Sequence, residues 1–242
     1  MQDVTDSTET IDTADGPMGV FIAQPAAAER GAVVVVQEAF GVTPHIQQVC
    51  RWLAGAGWVA VAPTLFHRAG SPVFAYDDIA GAMPVMQTLA QPGIDADLDA
   101  VFGLTERLGW SSEQTGLVGF CMGGSVVLHV AGTRAIGAAV TFYGGGLAQG
   151  RFGFASGLEL AASLRTPWLG LYGDRDLGIP VDDVERVRSI VAGAPVAAEV
   201  VRYPEGQHGF NCDDRPAVYD ADIATDARAR TLAWFDTHLA PA

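Results

Sequence analysis

The sequence predicts a single α/β domain over residues 1–242, a mostly parallel sheet with helices on both faces and an N-terminal hairpin. Three observations lead there. Short runs such as AVVVVQ at residues 32–37 are apolar on both faces, as strands buried inside a parallel sheet must be. These runs alternate along the chain with stretches of helical periodicity, the pattern of β-α-β units. With 49% of residues hydrophobic, 17% charged and no compositional shift that would mark a linker, the chain has material for one large core.

The elements follow in order. ADGP at residues 14–17 is a turn signal between two alternating runs, 8–13 and 18–23, which predicts an antiparallel hairpin. Gln24 and Pro25 break that pattern, and the first buried strand, residues 32–37, then ends at Glu38. Pro44 opens a helix through Ile46, Val49, Leu53 and Ala54, and Gly55 and Gly57 close it before a strand at residues 58–62. Helices are expected over 77–89, 96–108, 123–131, 181–191 and 217–239, and strands over 115–120, 138–142, 168–172 and 198–202. The GGG triplet at residues 144–146 reads as a flexible loop after a strand, and there is no internal repeat.

Charge removes whole classes of function. The chain carries 28 acidic and 14 basic residues, a net charge of -14, which repels polyphosphate, so no nucleic acid partner is expected. Every basic residue is arginine, which excludes Schiff-base lysine chemistry and a Walker-type phosphate loop. The N-terminus, MQDVTDSTETIDTADG, has neither the basic start nor the apolar run of a signal peptide, and no stretch predicts a membrane span. Cys50, Cys121 and Cys212 are few and widely spaced, which suits reduced thiols in a cytoplasmic protein. Metalloprotease and dinucleotide patterns are absent from their required contexts, so neither a metal nor an organic cofactor is expected.

The most informative stretch is LVGFCMGG, residues 117–124. Gly119-Phe120-Cys121-Met122-Gly123 puts a nucleophile between small residues where a predicted strand meets a predicted helix. A sharp turn there strains the central residue and leaves it clear at the tip, and side-chain-free neighbours keep the strain tolerable. The helix N-terminus favours a thiolate, and the Met122 amide is placed to bind a developing oxyanion. Cys50, among apolar residues in mid-helix, reads instead as a buried small hydrophobe.

A nucleophile of this kind needs a base, and the base needs an orienting acid. In α/β-hydrolases they follow in the order nucleophile, acid, base, the last two on loops after late strands. GDRDLGIP, after the strand at 168–172, offers Asp174 and Asp176, between which local chemistry does not choose. YPEGQHGF, after the strand at 198–202, offers His208. Loops after parallel strands emerge on one edge of the sheet, so the three groups can converge. Of the other histidines, His129 reads as packed on the helix after Cys121, and His45, His67 and His238 as surface or helix-end residues. Phe40 and Tyr143, at strand ends, are candidates to line the pocket.

Taken together, the ADGPM hairpin, VVVVQEAFG, VAPTLF, GFCMGG, TFYGGGL, GDRDLGIP and HGF resemble the dienelactone hydrolase family of α/β-hydrolases along nearly the whole chain. The resemblance implies an α/β-hydrolase fold and selects Asp176, in the pattern Gly173, Asp176, Ile179, Pro180, as the acid. It further implies that Glu38 holds the resting cysteine until substrate binding disturbs the contact, with Ala39 as second oxyanion donor. Two departures fall on substrate recognition. The family's arginine four residues after the histidine is Cys212 here, with Arg215 the nearest replacement, and its other carboxylate-binding arginine has no counterpart between Ala69 and Asp99. Cys212 with His208 makes only a two-ligand set and is not read as a metal site.

The resulting expectation is a cysteine hydrolase, a monomer or small homo-oligomer, acting on small lactones or activated esters through an acyl-thioester. Cys121, Asp176, His208 and Glu38 are its catalytic residues, Met122 and Ala39 its oxyanion donors, and Phe40, Tyr143 and Arg215 its substrate contacts. Its rivals are a general carboxylesterase or thioesterase, and a catalytically silent protein of the same fold that binds a small ligand.

Overall fold

The computed structural model describes residues 3–27 and 29–241. Eight strands form one sheet, β1 (Val4–Thr13), β2 (Gly16–Pro25), β3 (Ala32–Val36), β4 (Val59–Pro63), β5 (Thr115–Phe120), β6 (Ala138–Phe142), β7 (Trp168–Gly173) and β8 (Ala198–Tyr203). Their spatial order is β1-β2-β4-β3-β5-β6-β7-β8. The β1–β2 hairpin joins antiparallel through β2 and β4, and all later pairings are parallel. The hairpin is longer than its alternating runs suggested. Gln24 and Pro25 do not end β2, because Pro25 lies at the strand's last rung and no central ladder needs its missing N–H.

β3 to β7 are buried at every position, as their unbroken apolar runs required. Right-handed crossovers that run in opposite directions from the sheet's centre put helices on opposite faces. α1 (Pro44–Gly55) and α7 (Ala221–His238) share one face, where Arg228 lies over the ring of Trp52. α3 (Gln91–Arg107), α4 (Met122–Thr133), α5 (Gly157–Ala162) and α6 (Val181–Val191) cover the other, α3 touching α4 through His129 and Asp95. α2 (Ile79–Met86), capped by the Asp78 carboxylate on the Gly81 amide, precedes them near the sheet's carboxyl edge. Among the described residues no helix is long and apolar enough to cross a membrane.

Two local expectations need correction. α3 starts at Gln91 rather than residue 96, because Pro92 sits in the first turn, where its missing N–H costs nothing. The glycine triplet is not a flexible loop. Gly124 of α4 and Gly144 meet backbone to backbone, so that a Cβ on Gly124 would lie 2.8 Å from both Gly144 Cα and the Phe142 carbonyl oxygen.

The chain reverses direction across the sheet between β3 and β5, and the crevice outside the carboxyl ends of such strands is where open α/β sheets bind ligands. Replacing Gly124 by alanine forces a side chain into the α4–loop contact, and a loss of about 1–3 kcal/mol is expected. Urea unfolding measures it; an unchanged midpoint would mean that the contact can open without cost.

Candidate functional site

Five strand ends at the carboxyl edge deliver the candidate residues. Glu38 and Ala39 follow β3, Cys121 follows β5, Tyr143 follows β6, Asp176 follows β7 and His208 follows β8. Cys121 has φ 54° and ψ -113°, a backbone state that costs a residue bearing a Cβ about 1–3 kcal/mol. Its neighbours explain why the chain can hold it. A Cβ on Gly119 would lie 2.3 Å from the Gly123 carbonyl oxygen, and one on Gly123 2.4 Å from that of Val36. The two glycines let α4 start pressed against β3 and β5, with Cys121 half-buried at the mouth of a cleft of about 600 Å³.

His208 reaches the same cleft from the loop after β8. Its Nδ1 lies 2.6 Å from Asp176 Oδ2, and the other Asp176 oxygen accepts the Gly178 amide at 2.8 Å. Of the two aspartates, Asp176 is the one that meets His208. Asp174 is taken instead by Arg202, whose Nε and Nη2 donate to its two oxygens at 2.7 and 2.6 Å and pin the start of the loop that carries Asp176.

Burial alone lowers the His208 pKa, but the charge of the facing Cys121 thiolate and the hydrogen bonds to Asp176 and Cys121 outweigh it and raise it to about 10. The His208 imidazole is therefore held in its charged form beside the Cys121 sulfur.

Glu38 departs from the expectation that the resemblance carries. It is fully buried, and neither carboxylate oxygen has a hydrogen-bond partner among the described residues, so the expected contact with resting Cys121 is not made. Its charge falls on Tyr76, Tyr143 and Cys212, all three held firmly neutral. The Cys212 thiol is pushed up to about 12, by burial first and by Glu38 second. Tyr143, with φ 39°, is equally buried with an unpartnered hydroxyl, while the Tyr76 hydroxyl lies 2.9 Å from Thr43 Oγ1.

Phe40 and Tyr143 do not line the cleft as expected. Aromatic packing draws both beneath it, Phe40 against Tyr76 with ring centroids 4.8 Å apart and Tyr143 under His208 at 5.1 Å. Ala39 and Arg215 do line it. Sequence reasoning missed Arg151, Arg175, Met83 and Met86, which join them on the walls. No periodicity or motif marks Arg151; it enters from the loop after the glycine triplet, where a Cβ on Gly146 would sit 2.6 Å from its Cγ.

The remaining candidates sort by burial. Cys50 is buried in α1 and its thiol pushed up by desolvation, as a small hydrophobe would be. His129 stacks on Phe154 at 3.9 Å. His45 and His67 are not surface residues: each ring is buried on a carboxylate, His45 on Asp213 at 2.9 Å and His67 on Asp97 at 3.0 Å. A second, more apolar cleft of about 430 Å³, bordered by Trp52, Val49 and Arg228, contains none of the candidate nucleophile, acid or base.

Comparison with known proteins bears on the family and the fold. The family model described as the dienelactone hydrolase family matches residues 18–239. A relative from Salmonella typhimurium named "Putative carboxymethylenebutenolidase" is 36% identical over 226 residues, covering 90% of this chain and 82% of its own. "Carboxymethylenebutenolidase 1" of Cupriavidus pinatubonensis is 26% identical over 236 residues, 95% of each chain. The crystal structure named "Putative Dienelactone Hydrolase" from Klebsiella pneumoniae superposes with a TM-score of 0.90 at 34% identity, covering 98% of this chain and 100% of that one.

A buried carboxylate without partners costs stability. Glu38→Gln removes the charge and should raise the Tm by several degrees, at about 2–4 °C per kcal/mol for a chain of this size. Calorimetry tests this, and a lowered Tm would show that the carboxylate is already compensated.

Proposed function

Since the chain belongs to the dienelactone hydrolase family, we propose that it is a cysteine-dependent hydrolase of small lactones or activated esters. The observation that carries the reading is the 2.6 Å Asp176–His208 pair, set on the same cleft as a cysteine in the strained turn.

In this mechanism the Cys121 thiolate attacks the substrate's carbonyl carbon. The oxyanion that forms takes hydrogen bonds from the amides of Met122 and Ala39, neither of which donates to another acceptor among the described residues. His208 gives its proton to the departing oxygen and an acyl-thioester remains. Once sulfur is acylated its charge is gone, and with it the main influence that held the imidazole protonated. The neutral His208, oriented by Asp176, then takes a proton from water, which cleaves the thioester and restores the thiolate–imidazolium pair. One residue thus serves as acid in the first half and base in the second. Thiolate leaves readily, so the tetrahedral intermediate goes forward only when the substrate's own leaving group is comparably good. Enol lactones and activated esters meet that condition, and amides do not.

Glu38 acts from behind the nucleophile. Its buried, unpartnered carboxylate acts on Tyr143, as the Cys121 sulfur does, and substrate that draws the carboxylate elsewhere changes that environment.

Two measurements test the reading. Hydrolysis of dienelactone and p-nitrophenyl acetate should each fall at least about 10³-fold in Cys121→Ala, the scale on which removal of a nucleophile is felt. If the variant matches the wild type on both, the nucleophile is elsewhere. The pH profile of alkylation by iodoacetamide reads the ion pair. A pKa raised to about 10 means that His208 stays protonated through neutrality and is lost only above it. Alkylation should therefore be nearly flat across neutral pH, whereas in His208→Gln it should climb about tenfold per pH unit below the ordinary thiol value. Identical profiles for the two proteins would refute the pairing.

A further inference from the structure

We propose that the cleft takes a substrate with two separate anionic groups, one on the acyl part held by Arg151 and one on the leaving group held by Arg215. The inference rests on the hydrolase reading above and on the resemblance that makes Arg215 the replacement for the family's carboxylate-binding arginine; what it adds is a second anion site at Arg151.

Most arginines of this acidic chain are spent on carboxylates, among them Arg30, Arg51, Arg68, Arg134, Arg202 and Arg230. Arg175, on the cleft, is likewise neutralised by Glu205. Arg151 and Arg215 are different. Both line the cleft, and neither has a carboxylate partner among the described residues. The one carboxylate on the cleft wall, Asp176, belongs to His208. A chain with a net charge of -14 thus keeps two unpaired guanidinium groups in the cavity that holds its nucleophile. Such groups offer forked, charge-assisted hydrogen bonds to a carboxylate.

Each guanidinium is fixed independently. Arg151 lies 5.3 Å from the ring of Phe152, and its Nη2 is 3.8 Å from Met86 Sδ. Arg215 lies 5.9 Å from the ring of Phe40 and 5.8 Å from that of Tyr76. Such cation–π contacts orient a guanidinium while leaving its N–H edge free. They share no supporting residue, which argues for two sites rather than one clamp. Glycines clear the space for both: a Cβ on Gly145 would fall 3.0 Å from Arg151 Nη1, and one on Gly209 2.5 Å from Arg215 Nη1.

Position assigns the two ends. Gly209 follows His208, the group that hands a proton to the departing oxygen, so Arg215 stands on the leaving-group side. Arg151 stands against the glycine loop that follows β6 and packs on α4, and among the described residues it shares no contact with the His208 loop or with Arg215, which leaves it to the acyl part.

Four esters at low ionic strength provide the test. These are p-nitrophenyl acetate, mono-p-nitrophenyl succinate, the acetate of a carboxylated p-nitrophenol, and the succinate monoester of that phenol, which carries both charges. The doubly charged ester should have the highest kcat/KM. Arg151→Gln should lower kcat/KM for the two succinates relative to p-nitrophenyl acetate by about tenfold, through KM, and Arg215→Gln should do so for the two esters of the carboxylated phenol. Arg151→Lys should recover part of the loss, which a merely structural residue would not require. The proposal is overturned if the doubly charged ester is no better than the neutral one, or if the two variants weaken the same singly charged ester equally. Lack of Cys121-dependent turnover of the neutral ester would instead remove the hydrolase reading itself.

Discussion

The architecture of the site depends on backbone meeting backbone where no side chain fits. Gly119, Gly123 and Gly124 bring α4 within van der Waals distance of β3 and of the loop after β6, and only that approach forces Cys121 to φ 54° at the tip of the turn. The strain at one residue is small beside the apolar surface that the surrounding strands bury, so the fold can sustain it. Had any of the three carried a methyl group, the helix would stand away from the sheet and its N-terminus would no longer point at the sulfur.

Much of this was legible in the sequence because it is written in local terms. β5, β6 and α6 have the expected boundaries to the residue, since strong apolar runs sit between plain breakers. The strand-turn-helix pattern of GFCMG and the chain order of the later loops placed Cys121, the Asp174 and Asp176 pair and His208 on one edge, and the family resemblance chose Asp176. What was not legible depends on distant packing. Nothing near Arg151 shows that its guanidinium returns to the cleft, and nothing in TFYGGG shows that those glycines are held by a helix twenty residues earlier in the chain. Phe40 and Tyr143 were placed at the right strand ends, but their depth was set by aromatic neighbours that periodicity does not reveal.

Electrostatics divides the site into two layers. In the outer one, Asp176 and the Cys121 sulfur hold the His208 imidazole in its charged form beside open cleft. In the inner one, burial first and the Glu38 carboxylate second keep Tyr76, Tyr143 and Cys212 neutral. A buried carboxylate and a charged imidazole thus share one site, and the balance between them is open to whatever occupies the cleft.

The far edge of the sheet meets a different demand. β1 is ten residues long and ends the strand order, yet its sequence, VTDSTETIDT, is exposed almost throughout and sets Glu9 and Asp12 along it, beside an Asp6 paired with Arg51. A long unpaired strand is a template on which a second chain can add by hydrogen bonding. Acidic side chains at that rim repel an identical rim, so the hairpin that completes the sheet also works against edge-to-edge growth into aggregates.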